Sequence, residues 1–257
     1  MAEIDFFQVT ETGPVREGNE DAIGVWAHED GLLFAVADGL GGHAAGEVAS
    51  TLALEVLGRE VERAPGSWAV GKRLRRAVQE ANLALHGKSL AVPELRGMAT
   101  TITATAVVGG SVVTAHVGDS RLYMVRGDTI TQLTKDHTWV AEQVSYGLLS
   151  AEAARNHPRR NTLTRSLGSE LIVGIDVLTL EAQPGDVLVQ CSDGVHGPLD
   201  DRAIVGIVCD LAPEEACRRL IERALDAGGT DNLSVQVARV TSCTPTTSPR
   251  RWWHFGR

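Results

Sequence analysis

The chain has 257 residues, a length that fits one large domain. Hydrophobic residues make up 43% of it and charged residues 22%, a composition that supplies a sizeable core and excludes wholesale disorder. The formal charge is −9, from 33 acidic and 24 basic side chains, which argues against a nucleic-acid-binding protein because such proteins carry a basic face or stripe.

Hydrophobic periodicity predicts strands in runs and helices in pairs. The predicted strands, in chain order, are residues 6–10, 22–27, 32–37, 100–108, 111–117, 121–125, 129–133, 173–180, 187–191 and 233–240. The predicted helices are residues 44–63, 67–86, 200–209 and 213–227. This order favours an α+β fold built in layers over alternating βαβ units.

The domain is predicted to span residues 1–240, with a polar, partly helical insertion at residues 136–161. Residues 241–257 differ in composition and are predicted to form a flexible C-terminal tail, or else a basic-aromatic contact for a membrane or partner. The second predicted helix carries a basic face that we interpret as solvated surface. That face consists of Lys72, Arg73, Arg75 and Arg76.

Cysteine usage and the absence of targeting signals predict a cytoplasmic protein. Four cysteines form no CxxC pair and no zinc-ligand spacing, so we expect buried thiols in a reducing compartment. No run reaches the roughly 18 apolar residues of a membrane span. Residues 1–5 lack the basic start and apolar stretch of a signal peptide.

Four carboxylates lie next to, or two residues from, a glycine at the ends of predicted strands. They are Asp38, Asp119 and Asp193, each of which follows a strand, and Asp231, which precedes one. Because the end of one antiparallel strand lies beside the start of its neighbour, all four can gather at one rim. A single Asp-Gly pair is most often a turn, and the evidence lies in the repetition.

Glu20 and Asp21 add two more acids just before a predicted strand. Like charges gathered in this way repel each other unless something neutralises them. Carboxylate and carbonyl oxygens are the ligands that Mg²⁺ and Mn²⁺ prefer. The sequence therefore predicts a site for two or more divalent cations.

Five motifs that contain these acids follow one another along the chain. They are Arg16-Glu17-Gly18-Asn19-Glu20-Asp21, Ala37-Asp38-Gly39-Leu40-Gly41-Gly42-His43, Val117-Gly118-Asp119-Ser120-Arg121, Cys191-Ser192-Asp193-Gly194 and Gly229-Thr230-Asp231-Asn232-Leu233-Ser234. In this order they resemble the metal-dependent serine/threonine protein phosphatases of bacteria, the PPM or type-2C family. The resemblance covers about residues 5–240. It implies a four-layer α-β-β-α sandwich of two antiparallel sheets flanked by helix pairs, in agreement with the predicted elements.

The resemblance also implies a first metal site. Asp38 would bridge two metals, and the carbonyl oxygen of Gly39 would ligate one of them. Asp193 and Asp231 would complete the shell of the first metal.

Four further residues gain roles from the resemblance. Glu20 and Asp21 would hold the second metal, directly or through its waters. Asp119 is similar to the family's ligand for a third, more weakly held metal. Arg16 would bind the substrate phosphate and so take part in catalysis.

The activity implied is hydrolysis of phosphoserine and phosphothreonine in proteins, with two to three Mn²⁺ or Mg²⁺ ions. Two cations that share a water lower its pKa, so that it can attack phosphorus in line without a phosphoenzyme. The expected partners are phosphorylated proteins of bacterial signalling, including a Ser/Thr kinase or its substrates. We expect a monomer with no nucleic-acid partner and no transmembrane segment.

The proton donor for the leaving group is open at this stage. Some family members carry a histidine directly after the Asp-Gly pair as a proposed general acid, and here Leu40 occupies that position. His43 is a candidate catalytic acid, with structure at the start of a helix as the alternative. A metal-bound water is the third candidate.

Two other functions are weighed against the phosphatase. The segment from Gly39 to Ala44 matches the glycine spacing of a dinucleotide-binding loop, but an acid precedes it and a second helix follows the first. The non-enzymatic alternative is a degenerate family member that acts as a regulatory binding module. Every matched acid is present, which disfavours that alternative.

Overall fold

The computed structural model describes residues 2–28, 30–42 and 44–243. Its strands are β1 (Ala2–Glu11), β2 (Asp21–His28), β3 (Gly31–Leu40), β4 (Ala99–Thr100), β5 (Ile102–Val108), β6 (Ser111–Val117), β7 (Arg121–Arg126), β8 (Thr129–Gln132), β9 (Asp176–Glu181), β10 (Val187–Cys191) and β11 (Leu233–Cys243). Its helices are α1 (Ala44–Arg63), α2 (Val70–Ala91), α3 (Trp139–Ser145), α4 (Ala151–Arg155), α5 (Asp193–His196), α6 (Asp201–Val208) and α7 (Pro213–Asp226).

The strands form two antiparallel sheets. One sheet has the order β1-β11-β10-β7-β8, and the other has the order β2-β3-β5-β6-β9, with the short β4 paired to β3. The first and last strands of the described chain pair along their whole length, from Ala2 opposite Cys243 to Glu11 opposite Leu233. This pairing brings the residues just after β1 close to those just before β11.

The residues of β3 show how the layers stack. Leu32 and Phe34 face the other sheet, while Leu33 and Ala35 face the helices α1 and α2. Side chains alternate between the two faces of a strand, so a strand buried on both faces must be apolar throughout. This requirement explains the nearly unbroken apolar run of β3.

A second helical layer covers the outer face of the five-stranded sheet. Ile204 of α6 and Leu220 of α7 are fully buried against Val189 and Val237 of that sheet. Proline at the first position of α7 and the side chain of Asp200, which accepts from the Ala203 amide at 2.8 Å, start these two helices. The α-β-β-α sandwich predicted from the sequence is therefore confirmed.

Most predicted elements are found with ends that differ by a few residues. The second helix begins at Val70 and runs on to Ala91, three residues later and five residues further than predicted. The basic face assigned to it is corrected in one position, because Arg73 is buried and donates to the carbonyl oxygens of Val61 and Ala64. The carbonyl groups at the end of α1 attract this guanidinium. The last strand ends at Cys243, and residues 244–257 of the predicted tail lie outside the described residues.

Two further expectations from the sequence concern the state of the cysteines and the absence of a membrane span. The four thiols are all free, and Cys191 and Cys217 are buried. Among the helices of the described ranges, none combines the length and the apolar composition of a membrane span.

Candidate metal centre

The ends of β3, β6 and β10 and the start of β11 meet at one rim of the two sheets. They open a cleft of about 250 Å³. The cleft is lined by Arg16, Glu20, Asp38, Gly39, Leu40, Gly41, Gly42, Asp119, Asn161, Leu163, Asp193, Asp231 and Asn232. The structure therefore brings together the four carboxylates that the sequence places at strand ends.

A larger cleft of about 360 Å³ lies between α2 and the edge of the six-stranded sheet. Asp176 is the acid in its lining, and Arg75 and Lys135 are the basic residues. This cleft lacks converging carboxylates, so size does not identify the site of chemistry here. The smaller cleft holds the predicted ligands.

Asp38 and Gly39 are fixed by their backbone at the end of β3. The Thr101 amide donates to the Asp38 carbonyl oxygen at 2.9 Å, and the Asp38 amide donates to the Thr101 hydroxyl at 3.0 Å. The Gly39 amide donates to the carbonyl oxygen of Glu20 at 3.0 Å. A Cβ on Gly39 would overlap the carbonyl oxygens of Gly46 and Glu20. Only glycine lets β3, α1 and the Glu20 segment approach this closely.

Asp193 and Asp231 reach the cleft from different elements. Asp193 is the first residue of α5, and its carboxyl group lies close to that of Asp38. Asp231 accepts from the Arg16 guanidinium at 2.7 Å and from the Asn232 amide at 2.8 Å. Arg16 is half exposed and is the cation among the cleft-lining residues.

Glu20 and Asp21 occupy different positions relative to the cleft. Glu20 lines it, and its amide donates to the side-chain oxygen of Asn232 at 2.9 Å. Asp21 is buried behind the lining, opposite Asp38 in the pairing of β2 with β3. There it accepts from the Ser192 hydroxyl at 2.7 Å.

Asp119 follows β6 and is held through its backbone. The Gly118 amide donates to Nδ1 of His137 at 3.0 Å, and the His137 amide donates back to the Gly118 carbonyl oxygen at 2.8 Å. Nε2 of His196 donates to the Asp119 carbonyl oxygen at 3.0 Å. Both imidazoles thus orient the Asp119 segment from the side away from the cleft.

The pKa values of four clustered acids lie well above the ordinary value of an aspartate. Burial raises the pKa of Asp21 to about 7, that of Asp119 to about 8 and that of Asp193 to about 6. Burial also raises the pKa of Asp38 well above its ordinary value, and the charges of the neighbouring carboxylates add to every one of these rises. One arginine cannot neutralise so many acids, whereas two or more hard divalent cations fit this set of oxygen donors.

The carboxylates do not stand as a ready-made ligand shell. In the described part of the chain, no group of three or more His, Cys, Asp or Glu side chains is arranged to hold one ion. Among them, Asp231 pairs with Arg16, and the carboxyl groups of Asp38 and Asp193 lie close to each other.

Two lining residues, Asn161 at the end of the insertion and Leu163 just after it, have no role assigned from the sequence. Asn161 and Leu163 reach the cleft because the insertion folds back on itself, with the Trp139 amide donating to the Thr162 carbonyl oxygen at 2.8 Å. The signal in the sequence is weak, since a polar segment does not reveal where it folds back. Asn232 lies inside a recognised motif, and its bonding partners appear only in the fold.

The candidate proton donors are placed only in part. Leu40 lines the cleft and has no group that can donate a proton. His43 lies outside the described residues, directly before α1. Its catalytic role stays a prediction.

The comparison with protein families matches residues 15–239 to the model described as protein phosphatase 2C. This match spans all five motifs and ten of the eleven strands, the last of them in part. It leaves β1 and the segment after residue 239 outside its bounds.

Curated and solved proteins give the same assignment. The serine/threonine protein phosphatase PstP of Mycobacterium tuberculosis is 40% identical over 232 residues, which are 90% of this chain but 44% of that protein. The serine/threonine phosphatase stp of Listeria welshimeri is 36% identical over 88% of this chain and 92% of its own length. The catalytic domain of PstP, solved in complex with two manganese ions, superposes with a TM-score of 0.83 at 36% identity, covering 94% of this chain and 100% of that domain.

This chain thus spans less than half the length of PstP while matching nearly all of its catalytic domain and of the Listeria protein. The five motifs, the cleft and every strand except β1 and the end of β11 fall inside the matched residues. The chain belongs to the protein phosphatase 2C family.

Proposed function

We propose that this chain is a metal-dependent phosphatase that hydrolyses phosphoserine and phosphothreonine in proteins. The observation that carries the proposal is the meeting of Asp38, Asp119, Asp193 and Asp231 in one cleft beside Arg16. A phosphate monoester is an anion, so a cleft lined with acids can receive it only when cations are bound. The names of the bacterial relatives and the manganese-bearing catalytic domain of PstP support both parts of the proposal.

For the first metal we assign the carboxylates of Asp38, Asp193 and Asp231. Asp38 would be shared with the second metal, and the Gly39 carbonyl oxygen would hold one of the two. The close backbone approach at Gly39 supports this assignment, because it fixes a carbonyl group at the edge of the cleft.

For the second and third cations we assign Glu20, Asp21 and Asp119. Glu20 and Asp119 line the cleft and can reach a cation directly. Asp21 is buried behind the lining and acts through a bound water. When bound, Mn²⁺ or Mg²⁺ supplies Lewis acidity and a water whose pKa is lowered toward neutral.

Arg16 binds the substrate phosphate. Its guanidinium now pairs with Asp231, and the side chain is half exposed, so it is free to turn toward an incoming oxygen. A planar guanidinium donates two parallel hydrogen bonds to a phosphate. As charge builds on the equatorial oxygens during in-line attack, these bonds strengthen and lower the barrier.

The proposal includes a setting for the activity. We place the protein as a monomer in the bacterial cytoplasm, where its partners are a Ser/Thr kinase or the proteins that such a kinase phosphorylates. The four free thiols support a reducing compartment, and the names of the relatives support a phosphoprotein substrate.

A turnover assay with Mn²⁺ and a phosphothreonine peptide tests the proposal. Asp193→Asn and Asp231→Asn remove a charged donor without changing side-chain size, and each should lower kcat about 100-fold or more. The matched control is Asp226→Asn at the exposed end of α7, which should keep wild-type kcat.

Calorimetric titration of the same proteins with Mn²⁺ separates an enzyme from a binding module. An active enzyme binds Mn²⁺ and turns over, and its Asp193→Asn variant loses both. Tight Mn²⁺ binding without hydrolysis would replace the phosphatase by a regulatory binding module. Full activity in both cleft variants would refute the assignment of the ligands.

A further inference from the structure

The insertion presents a cluster of arginines on its surface. We name residues 155–160 the arginine turn. This segment begins at Arg155, the last residue of α4. Arg155, Arg159 and Arg160 are all exposed, and no acid lies within this segment. In a chain of net charge −9 this is a local concentration of positive charge.

The arginine turn is held in a defined shape. The rings of Trp139 and His157 lie 5.0 Å apart, and the Arg159 guanidinium lies over the Trp139 ring at 4.3 Å. The Arg159 amide donates to Nδ1 of His157 at 3.1 Å, and the Arg160 amide donates to the His157 carbonyl oxygen at 3.0 Å. Arg159 is thus used to build the turn, while Arg155 and Arg160 point their charges outward.

The arginine turn leads straight into the metal centre. The residue after Arg160 is Asn161, which lines the cleft together with Leu163. Neighbouring Cα atoms are about 3.8 Å apart, so the Arg160 side chain begins one residue from the cleft wall. A protein segment that enters the cleft from the side of Asn161 passes this turn.

The charges of Arg155 and Arg160 are not neutralised from within the described residues. No acidic side chain of residues 2–28, 30–42 and 44–243 pairs with either of them, in contrast to other exposed arginines. The contrasting pairs are Arg63–Glu60, Arg76–Glu80 and Arg218–Glu214. These two guanidinium groups remain available to a ligand.

We propose that the arginine turn selects phosphoprotein segments that carry acidic side chains close to the phosphorylated residue. Guanidinium groups bind carboxylates with two parallel hydrogen bonds, and exposed pairs of this kind act through encounter and affinity. An extended peptide advances about 3.4 Å per residue, so acids within about three positions of the phosphorylated residue reach the turn. This inference rests on the proposed function and narrows its substrate class.

Matched phosphopeptides test the selection. Three peptides share one phosphothreonine and differ in their flanks, which are acidic, neutral or basic, and kcat/KM is measured with Mn²⁺ for each. The wild-type protein should prefer the acidic over the neutral peptide about five- to tenfold, mainly through KM. Raising the ionic strength from about 0.05 to about 0.5 M should reduce the preference, because the pairs are exposed.

The decisive comparison is the ratio of acidic to neutral kcat/KM within each variant. In the double variant Arg155→Gln/Arg160→Gln this ratio should fall to within about twofold of one. The matched control is Arg202→Gln/Arg223→Gln, which removes two exposed arginines from the outer helices α6 and α7 and should keep the wild-type ratio. Circular dichroism of each variant verifies the fold.

Binding of the same peptides with a non-hydrolysable phosphonate in place of the phosphate, labelled and followed by fluorescence anisotropy with Mn²⁺, separates this inference from the proposed function. A preference for acidic flanks that the double variant loses supports the arginine turn even if no peptide is hydrolysed. Hydrolysis with a ratio that is near one in the wild type, or unchanged in the double variant, overturns the inference and leaves the phosphatase standing.

Discussion

Asn232 connects the segment that carries Arg16 to the proposed metal ligands. Its side-chain amide donates to the carbonyl oxygens of Thr12 and Gly18 at 2.8 and 3.0 Å, and its side-chain oxygen accepts from the Glu20 amide. One buried side chain thus satisfies three backbone groups of the segment that carries Arg16. Its neighbour in the chain is the proposed ligand Asp231.

Asn232→Ala should therefore lower both stability and activity. Three partly buried backbone groups lose their partner, which costs about 2 kcal/mol of unfolding free energy. The loosened Arg16 segment should lower kcat/KM about tenfold. Urea unfolding and peptide turnover measure the two effects, with Gln183→Ala at an exposed site as control. An unchanged kcat/KM would separate Asn232 from substrate binding.

His116 is a buried titratable group whose pKa is lowered in the folded chain. Burial, with a smaller contribution from the nearby His137, lowers its pKa to about 4 against the opposing pull of Asp136 and Asp176. Its Nε2 donates to the Lys135 carbonyl oxygen at 3.2 Å, and its Nδ1 lies 2.9 Å from the Thr103 hydroxyl. The folded state thus favours the neutral imidazole.

This depressed pKa makes stability fall in mild acid. The unfolded chain binds a proton at His116 near pH 6.5 and the folded chain only near pH 4, so stability decreases as pH falls through this window. The loss from this one group is on the order of 3 kcal/mol. In His116→Gln, urea unfolding between pH 7 and about 4.5 should show a shallower dependence. An identical slope in the variant would contradict the assignment.

At the scale of elements, the close approach of β3 to α1 depends on glycine at position 39, which has no side chain. Gly39→Ala should lower the free energy of unfolding by about 3 kcal/mol, because the added methyl group overlaps backbone oxygens that cannot move away. Gly206→Ala is the matched control, since this exposed position inside α6 has open space. That control should gain about 0.5–1 kcal/mol. Equal effects in urea unfolding would refute the packing argument.

The insertion is attached to the metal centre at its base. Beyond its two bonds with Gly118, His137 accepts at its carbonyl oxygen from the Thr164 amide at 2.8 Å, and its Nε2 donates to Asp176 at 3.2 Å. One residue thus joins both ends of the insertion to the strand end that carries Asp119. The position of the insertion and that of a proposed ligand are therefore linked.

His137→Ala should free the base of the insertion. Peptide kcat/KM should fall about tenfold, and amide exchange should rise across residues 138–163. His137→Asn keeps an acceptor for the Gly118 amide and should restore part of the activity. Wild-type exchange in the alanine variant would show that the insertion is held elsewhere.

At the scale of the whole molecule, metal binding should stabilise the fold. The ligands lie on β3, α5 and the segment before β11, so they come together only in the folded chain. Mn²⁺ at about 100 times its Kd adds about 2.7 kcal/mol, which raises the Tm by roughly 5–10 °C. Thermal unfolding of the wild type, Asp193→Asn and Asp226→Asn measures this. An equal rise in all three would place the bound metal elsewhere.

The sequence by itself determined the elements with strong local patterns. The helix at 44–63 and the strands at 111–117 and 187–191 were predicted with their observed bounds, because apolar periodicity and glycine turns depend on near neighbours in the chain. The acids of the cleft were found for a related reason. Each follows or precedes a strand in a motif of a few residues, and the ordered motifs identified the family.

Only the tertiary structure decided which distant groups meet. The order β1-β11-β10-β7-β8, the burial of Arg73 at the end of α1 and the return of Asn161 to the cleft all depend on contacts between residues far apart in the chain. Asp21 behind the lining and His137 against Gly118 are further cases. Such contacts are set by packing and by burial of polar groups over the whole molecule, and no local pattern encodes them.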